Sequence, residues 1–277
     1  MKTCAISLLF LLVPCLSEGF VAKLMPSQVN PGDAFMVKVC GREIGGGIDL
    51  FFAGRRLLSY FSSQEGCLEA IGVVELNTKP GIYTVRIKSK GKTTSLRLKV
   101  KTASFATLHL TLPPDKVSLS PEDLERVKKE QEMLSRIWDV VSEKLWEGAF
   151  ILPVENDILT KFGIKRIINL KKESIHWGID VRGASGAEVR ASNSGTVVFA
   201  EELFFGGNTI VIDHGLGIHT LYMHLERFDV SVGNAVSKGQ VIGFVGQTGR
   251  ATGPHLHFGV RVGNINANPV SFIELRL

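Results

Sequence analysis

Gly, Pro, Asn and Asp break the apolar runs of this chain throughout, and glycine alone fills 29 of its 277 positions. Segments such as AFMVKVCG, GIYTVRIKSKGKTTSLRLKV and NTIVIDHGLGIHTLYMHL are short, alternate in polarity and end at turn formers, which predicts a β-rich protein with many turns. A length of 277 residues exceeds the roughly 100 to 200 of one domain, so two folded units with connectors are expected. Apolar residues make up 44%, enough to bury real cores. The net charge of +5 is spread along the chain and reads as an ordinary soluble surface, compatible with weak attraction to an anionic cell envelope. No basic stripe is interleaved with aromatics, which leaves nucleic-acid binding without support.

The chain begins MKTCAISLLFLLVPCLSEGF, with Lys2, an apolar run from about Ala5 to Val13 and then small and polar residues. The run is too short to span a bilayer, and its layout predicts a secretory signal peptide over residues 1–19, cleaved after Ser17 or Gly19. Lipid attachment at Cys15 is disfavoured by Pro14 before it. No second hydrophobic stretch follows, so no transmembrane segment is expected once the signal is removed. Cys40 and Cys67 then remain; in an oxidising compartment they could pair, and their spacing does not resemble a zinc knuckle.

From residue 20 to 103 short strands and turns predict a small β-sandwich of immunoglobulin-like type. In Tyr83-Thr84-Val85-Arg86-Ile87-Lys88, Val85 and Ile87 share the inner face, and Lys90-Gly91 forms the hairpin turn that follows. A connector spans 104–147. It opens with an alternating strand from Ser104 to Leu112, which carries His109 as a structural or solvent-facing residue and stops at Pro113-Pro114. A helix follows, with Ser120 as N-cap, Pro121 at the first helical position and carboxylates in the first turn. Leu124, Val127, Met133, Leu134, Ile137 and Val141 extend it through Lys144. Residues 148–277 return to β pattern.

Six of the seven histidines lie between His176 and His257. His176 and Asp180, four apart in HWGID, share a face if the segment is a strand, and a strand or loop is favoured there. His255 and His257 share a face of GPHLHFGV while Leu256 and Phe258 turn to the core. Two adjacent imidazoles repel once protonated, and a divalent cation is the commonest reason to keep both. Zinc suits this donor set, with His176, Asp180 and one of the HLH histidines as three ligands and a fourth position open. In TLYMHL, alternation puts Tyr222 and His224 on one face and Leu221, Met223 and Leu225 on the other. His214 sits in a turn and reads as structural. His219, five residues before His224, reads as facing away from it and outside the metal set. Glu201 and Glu202 open a solvated loop. Gly206, Gly207, Gly246, Gly249 and Gly253 read as turn glycines, some lining a groove, because no Lys-Ser/Thr phosphate loop follows them. No H-E-x-x-H helix occurs, so the glutamate base of those enzymes has no counterpart.

HWGID, YMHL and GPHLHFGV, with VIDHGLGIHTLYMHL and VSKGQVIGFVGQTGRATGPHLHF between and around them, strongly resemble the M23 zinc metallopeptidases of lysostaphin and LytM type. The resemblance covers residues from Gly148 to about Leu275 in motif order and approximate spacing. It implies an antiparallel β-rich peptidase domain, preceded in some exported members by a β-sandwich. It makes His176, Asp180 and His257 ligands of Zn²⁺, and His224 and His255 the two non-ligand catalytic histidines. The implied activity is hydrolysis of peptide bonds in peptidoglycan stem or cross-link peptides, in the periplasm or elsewhere in a bacterial cell envelope, with a regulatory partner as a further option. The alternative is a catalytically silent LytM-type wall-binding protein or amidase activator, and a third arrangement is a peptidase held latent by its N-terminal part. Specificity is expected from loops around Lys165 to Ser174 and Glu201 to Asn208.

Overall fold

The computed structural model describes residues 19–277 apart from 42, 43, 45, 46, 64, 112–118, 170, 171 and 276. The predicted signal segment before Gly19, with Cys15, and the Pro113-Pro114 stop lie outside them.

The N-terminal unit contains β1 (Phe20–Met25), β2 (Gln28–Val29), β3 (Ala34–Gly41), β4 (Ile48–Phe52), β5 (Arg55–Arg56), β6 (Ser59–Ser62), β7 (Cys67–Val73), β8 (Gly81–Ser89) and β9 (Lys92–Val100). They form two sheets, ordered β1-β3-β7-β6 and β2-β9-β8-β4-β5. Phe35, Val37, Leu50, Val85, Ile87 and Leu98 fill the space between them. Alternation along β8 follows the sequence, with Val85 and Ile87 buried and Thr84, Arg86 and Lys88 exposed. Lys90 and Gly91 both take left-handed φ, 46° and 79°, which suits a two-residue hairpin turn. Cys40 lies directly across from Cys67 in the β3–β7 pair, and the two form a disulfide.

The rest comprises β10 (Thr107–Leu110), α1 (Pro121–Trp138), β11 (Ile158–Thr160), β12 (Lys165–Ile168), β13 (Lys172–Ile175), β14 (Ile179–Arg182), β15 (Glu188–Arg190), β16 (Gly195–Leu203), β17 (Gly207–Gly215), β18 (Ile218–Phe228), β19 (Ala235–Val236), β20 (Val241–Val245), β21 (His255–Val262), β22 (Ile265–Ala267) and α2 (Pro269–Ile273). The fold is mainly β. A large antiparallel sheet runs β11-β14-β21-β18-β17-β16-β19, with β15, β20 and β22 attached. The strand predicted after Ser104 is β10, which adds in parallel to the β12–β13 hairpin and leaves His109 exposed.

One face of the large sheet packs Ile179, Ile210, Ile212, Tyr222, Leu256 and Phe258 into a core that continues into Ala34, Met36, Ile71 and Val73 of the sandwich. The opposite face receives α1, where Trp138, Met133, Leu134 and Ile137 meet Phe199, Leu203, Val211 and Leu221. Ser120 caps α1 as expected, its hydroxyl accepting from Asp123 N. The helix stops at Trp138, however, and does not reach Lys144. Val140 and Val141 are exposed and have no apolar face to cover. The chain instead runs extended along the sheet end, where Leu145 N donates to His214 O at 2.8 Å and Trp146 enters the core. Among the described residues no helix is long and apolar enough to cross a membrane.

Candidate metal centre and catalytic groove

The α1-bearing face of the sheet also carries His224, His255 and His257. On β21 the side chains alternate as predicted: Leu256 and Phe258 are fully buried in the core, and His255 and His257 turn to the other face. Asp180 on β14 is the direct cross-strand neighbour of His257, between inward-facing Ile179 and Val181. His176 is not on that strand. It follows β13, and residues 176–178 bend before β14 begins, so His176 and Asp180 meet across a bend and not by strand alternation. Reciprocal backbone bonds with residues 163 and 164 hold His176 there (Gly163 N to His176 O and His176 N to Ile164 O, both 2.9 Å).

His176 Nε2, Asp180 Oδ1 and His257 Nδ1 converge, at 2.8 Å for His176–Asp180 and 2.9 Å for each of the other two pairs. They form a His-Asp-His group able to hold a metal ion. His176 Nδ1 faces the Lys161 carbonyl at 2.9 Å and so carries the proton, which leaves a bare lone pair at Nε2. A lone pair set against a carboxylate oxygen is repulsive unless a cation lies between them. A tetrahedral zinc with bonds of about 2.0 to 2.2 Å would space these donors roughly 3.3 Å apart, a few tenths of an ångström wider than they stand. The donor set therefore fits the ion. The other carboxylate oxygen, Asp180 Oδ2, accepts from Arg166 Nη2 at 2.7 Å. Burial alone would raise the pKa of Asp180, but its contacts with His176 and His257 hold it far below the ordinary carboxylate range. His257 is lowered, chiefly by burial.

His224 reaches the group by a different route from the one the sequence suggested. Tyr222 pairs with Ile210 and Leu225 with Asn208, so three steps of β18 oppose two of β17, and His224 takes a left-handed φ of 65° in the resulting bulge. Without the extra residue His224 would follow Tyr222 into the core. The bulge turns it to the opposite face, beside His255 and His257, with ring centroids 4.8 and 6.1 Å away. Tyr222 and Leu225 both end in the core, against the expected grouping of Leu225 with Leu221 and Met223. His224 Nδ1 donates to Thr248 O at 2.9 Å, and His255 Nδ1 to Gly253 O at 2.8 Å, so Nε2 is the free nitrogen of each ring. His255 Nε2 lies 3.7 Å from Asp180 Oδ1. Burial, then the neighbouring His257 and His255, carry the pKa of His224 down to about 3, which keeps it neutral at pH 7.

The segments flanking the site also depart from expectation. Of the segment around Lys165 to Ser174, the described residues 165–168 and 172–174 are paired strand (β12 with β13) and not open loop, and Arg166 there is placed to reach Asp180. Glu201 and Glu202 are solvent-exposed as expected but belong to β16, paired with Thr209 and Asn208. The turn after β16 is held by α1, as Phe204 N donates to both carboxylate oxygens of Glu130 at 3.1 and 3.0 Å. Gly207 and Gly249, with φ of 60° and 67°, let this turn and the loop before β21 touch. A Cβ on Gly207 would lie 2.6 Å from Gly249 N.

The bulge also overturns the reading of His219, which lies on the same sheet face as His224. It still stays out of the metal group, because it pairs with Arg261 four residues further along β18 than Met223, roughly 13 Å at about 3.3 Å per residue. Trp138 covers it at 5.3 Å between ring centroids. His214 lies on β17 and not in the turn, where Gly215, Leu216 and Gly217 take the left-handed φ instead. It is fully buried, with Nδ1 donating to Ser194 O at 2.7 Å and Nε2 2.7 Å from Thr220 Oγ1. Burial outweighs the raising effects of Ser194 and Asp213 and brings its pKa to about 4.

A histidine with a folded pKa below its unfolded value binds its proton first in the unfolded chain, so its contribution to stability is lost as pH falls from about 6.5 to about 4. For His214 the loss is on the order of 3 kcal/mol. Denaturant unfolding at several pH values should show the wild type steeper over that window than His214→Gln by about one proton's slope. Identical slopes would contradict the assignment.

Arg166 and the carbonyls of Lys161, Thr248 and Gly253 were not legible as site groups in the sequence. Nothing local marks Arg166, and the carbonyls belong to loops whose approach depends on the tertiary fold. Comparison with known proteins fits this geometry. Residues 174–269, which include all five predicted site residues, match peptidase family M23. The DD-carboxypeptidase/endopeptidase Mpg of Neisseria meningitidis serogroup B is 44% identical over 114 residues, 41% of this chain and 26% of that protein. The peptidoglycan DD-endopeptidase ShyA of Vibrio cholerae is 43% identical over 88 residues, 32% of this chain and 20% of that protein. The chain therefore spans about a quarter or less of the length of these curated relatives. A crystal structure of a Pseudomonas aeruginosa protein assigned to peptidase M23 superposes with a TM-score of 0.68 at 28% identity, covering 89% of this chain and 95% of that one.

Proposed function

The chain carries a domain of peptidase family M23, and on that premise we propose that it is an exported, zinc-dependent endopeptidase that hydrolyses peptide bonds in the stem or cross-link peptides of peptidoglycan. Residues 148–277 form its peptidase unit and 20–103 its preceding sandwich. The observation that carries the reading is the convergence of His176 Nε2, Asp180 Oδ1 and His257 Nδ1 within 2.9 Å, with the two further imidazoles of His224 and His255 beside them. The name of the relative ShyA, a peptidoglycan DD-endopeptidase, supports peptidoglycan as the substrate class.

Zinc held by His176, Asp180 and His257 would polarise the scissile carbonyl and make water a nucleophile at neutral pH. The protein's own residues supply the remaining functions. The Lys161 carbonyl fixes the His176 tautomer, and Arg166 fixes the second oxygen of Asp180. His224 and His255, each tied through Nδ1 to a carbonyl, present Nε2 to accept a proton, return it to the leaving amine and donate to the developing oxyanion; we assign these roles to the pair jointly. The sandwich packs through Ala34, Met36, Ile71 and Val73 against the sheet face opposite His224, His255 and His257, so it does not cover them.

Mass spectrometry of muropeptides released from purified walls tests the reading. New peptide ends should appear with zinc-loaded protein, vanish on chelation and return when zinc is restored. Wall binding with no peptide cleavage in any metal-loaded form would favour the silent wall-binding or amidase-activating alternative.

A further inference from the structure

The loop between β20 and β21 grips both non-ligand histidines, through the Thr248 carbonyl on His224 and the Gly253 carbonyl on His255. Arg250 stands between those two anchors. Its backbone N–H donates to Phe205 O at 3.0 Å, and its guanidinium carbon lies 4.1 Å from the centre of the Phe205 ring. The side chain is thus laid against the Phe205 ring and partly buried.

Its surroundings are short of negative charge. Arg182, Arg190 and Arg227 each have a carboxylate partner, whereas Arg250 has none among the described residues. Arg166, near enough for its charge to act on Arg250, has Asp180 as its partner yet keeps its Nε–H buried without an acceptor. Arg166 therefore has one carboxylate, which already belongs to the metal-binding group, and Arg250 beside it has none among the described residues. Holding a partly desolvated cation without a counter-ion carries a cost, and an anion arriving with the substrate would reduce it.

We infer that Arg250, backed by Arg166, forms a carboxylate-binding subsite at the edge of the groove, so that the peptides taken carry a free carboxylate beside the scissile bond. The inference rests on the peptidase reading and narrows its substrate class. The carboxylate has two chemical sources: the C-terminal α-carboxylate of the leaving residue, or a side-chain carboxylate next to the cleaved bond.

Binding to zinc-loaded His255→Ala full-length protein, measured by calorimetry, separates the sources and needs no turnover. Two peptide pairs serve as probes. One pair differs only in a C-terminal acid against its amide, the other only in a side-chain carboxylate against its carboxamide. In one of the pairs the acid should bind about 10- to 100-fold tighter. Arg250→Ala in the same background should bring that ratio close to one, and Arg250→Lys should restore part of it. Equal affinities within both pairs, a ratio that survives Arg250→Ala, or no binding of any peptide would overturn the subsite. Failure of the wild type to cleave walls would count against the peptidase reading alone, because the binding ratio does not depend on cleavage.

Discussion

His257→Ala should leave the protein without zinc and lower hydrolysis by well over 10³-fold, while His255→Ala should keep its zinc and still lose about 10² to 10⁴ in turnover. The two imidazoles are two residues apart on one strand face, yet their surroundings differ. His257 Nδ1 lies 2.9 Å from both His176 Nε2 and Asp180 Oδ1, so its loss cuts the ligand set from three to two. It also leaves the buried Asp180 carboxylate short of a partner, at a cost of about 1 to 3 kcal/mol in the metal-free protein. His255 lies further off, 3.7 Å from Asp180 Oδ1, and its other nitrogen is tied to Gly253 O. Elemental analysis beside single-turnover rates reads both effects. Equal metal content in the two variants would contradict the division.

Gly178→Ala should be nearly as damaging although it removes no functional group. A Cβ at this position would stand 2.4 Å from Phe258 O and 2.6 Å from His257 Nε2, closer than non-bonded carbon tolerates. Neither neighbour can yield cheaply: Phe258 is fully buried in the core, and His257 is a proposed ligand. Relief must come from β14 and β21 separating where Asp180 faces His257. The expected outcome is a loss of about 2 to 4 kcal/mol in stability and a fall of at least tenfold in zinc affinity. Thermal unfolding and competitive zinc titration measure the two. An unchanged zinc affinity would show that the close approach does not matter to the site.

What could be read from the sequence depended on how local each determinant is. HLH on a strand fixes that Leu256 and Phe258 face inward and the histidines outward, and the structure keeps that pattern because β21 is regular. Ser120-Pro121 set the start of α1 through groups within three residues. The end of the helix was not local: Val141 continues the apolar spacing, but Trp146 and the bond from Leu145 to His214 draw the chain away after Trp138. The bulge at His224 exists only in the pairing of β18 with β17, so alternation along TLYMHL put the residue on the wrong face. The same slip affects His219, which stays out of the metal group through its distance along β18 and not by facing away from His224. Asp180 was found by its four-residue spacing from His176, although a bend and not a strand brings the two together. Arg166 became visible only once the β12–β13 hairpin placed it beside Asp180.

His176, Asp180 and His257 are proposed to hold the ion at which hydrolysis occurs. X-ray absorption at the zinc edge of the full-length protein tests it most directly. One zinc per chain is expected, with two imidazole nitrogens at about 2.0 to 2.1 Å and one carboxylate oxygen at about 2.0 to 2.2 Å, a signal that His257→Ala removes. A zinc shell made only of oxygen, or one unchanged in His257→Ala, would contradict it.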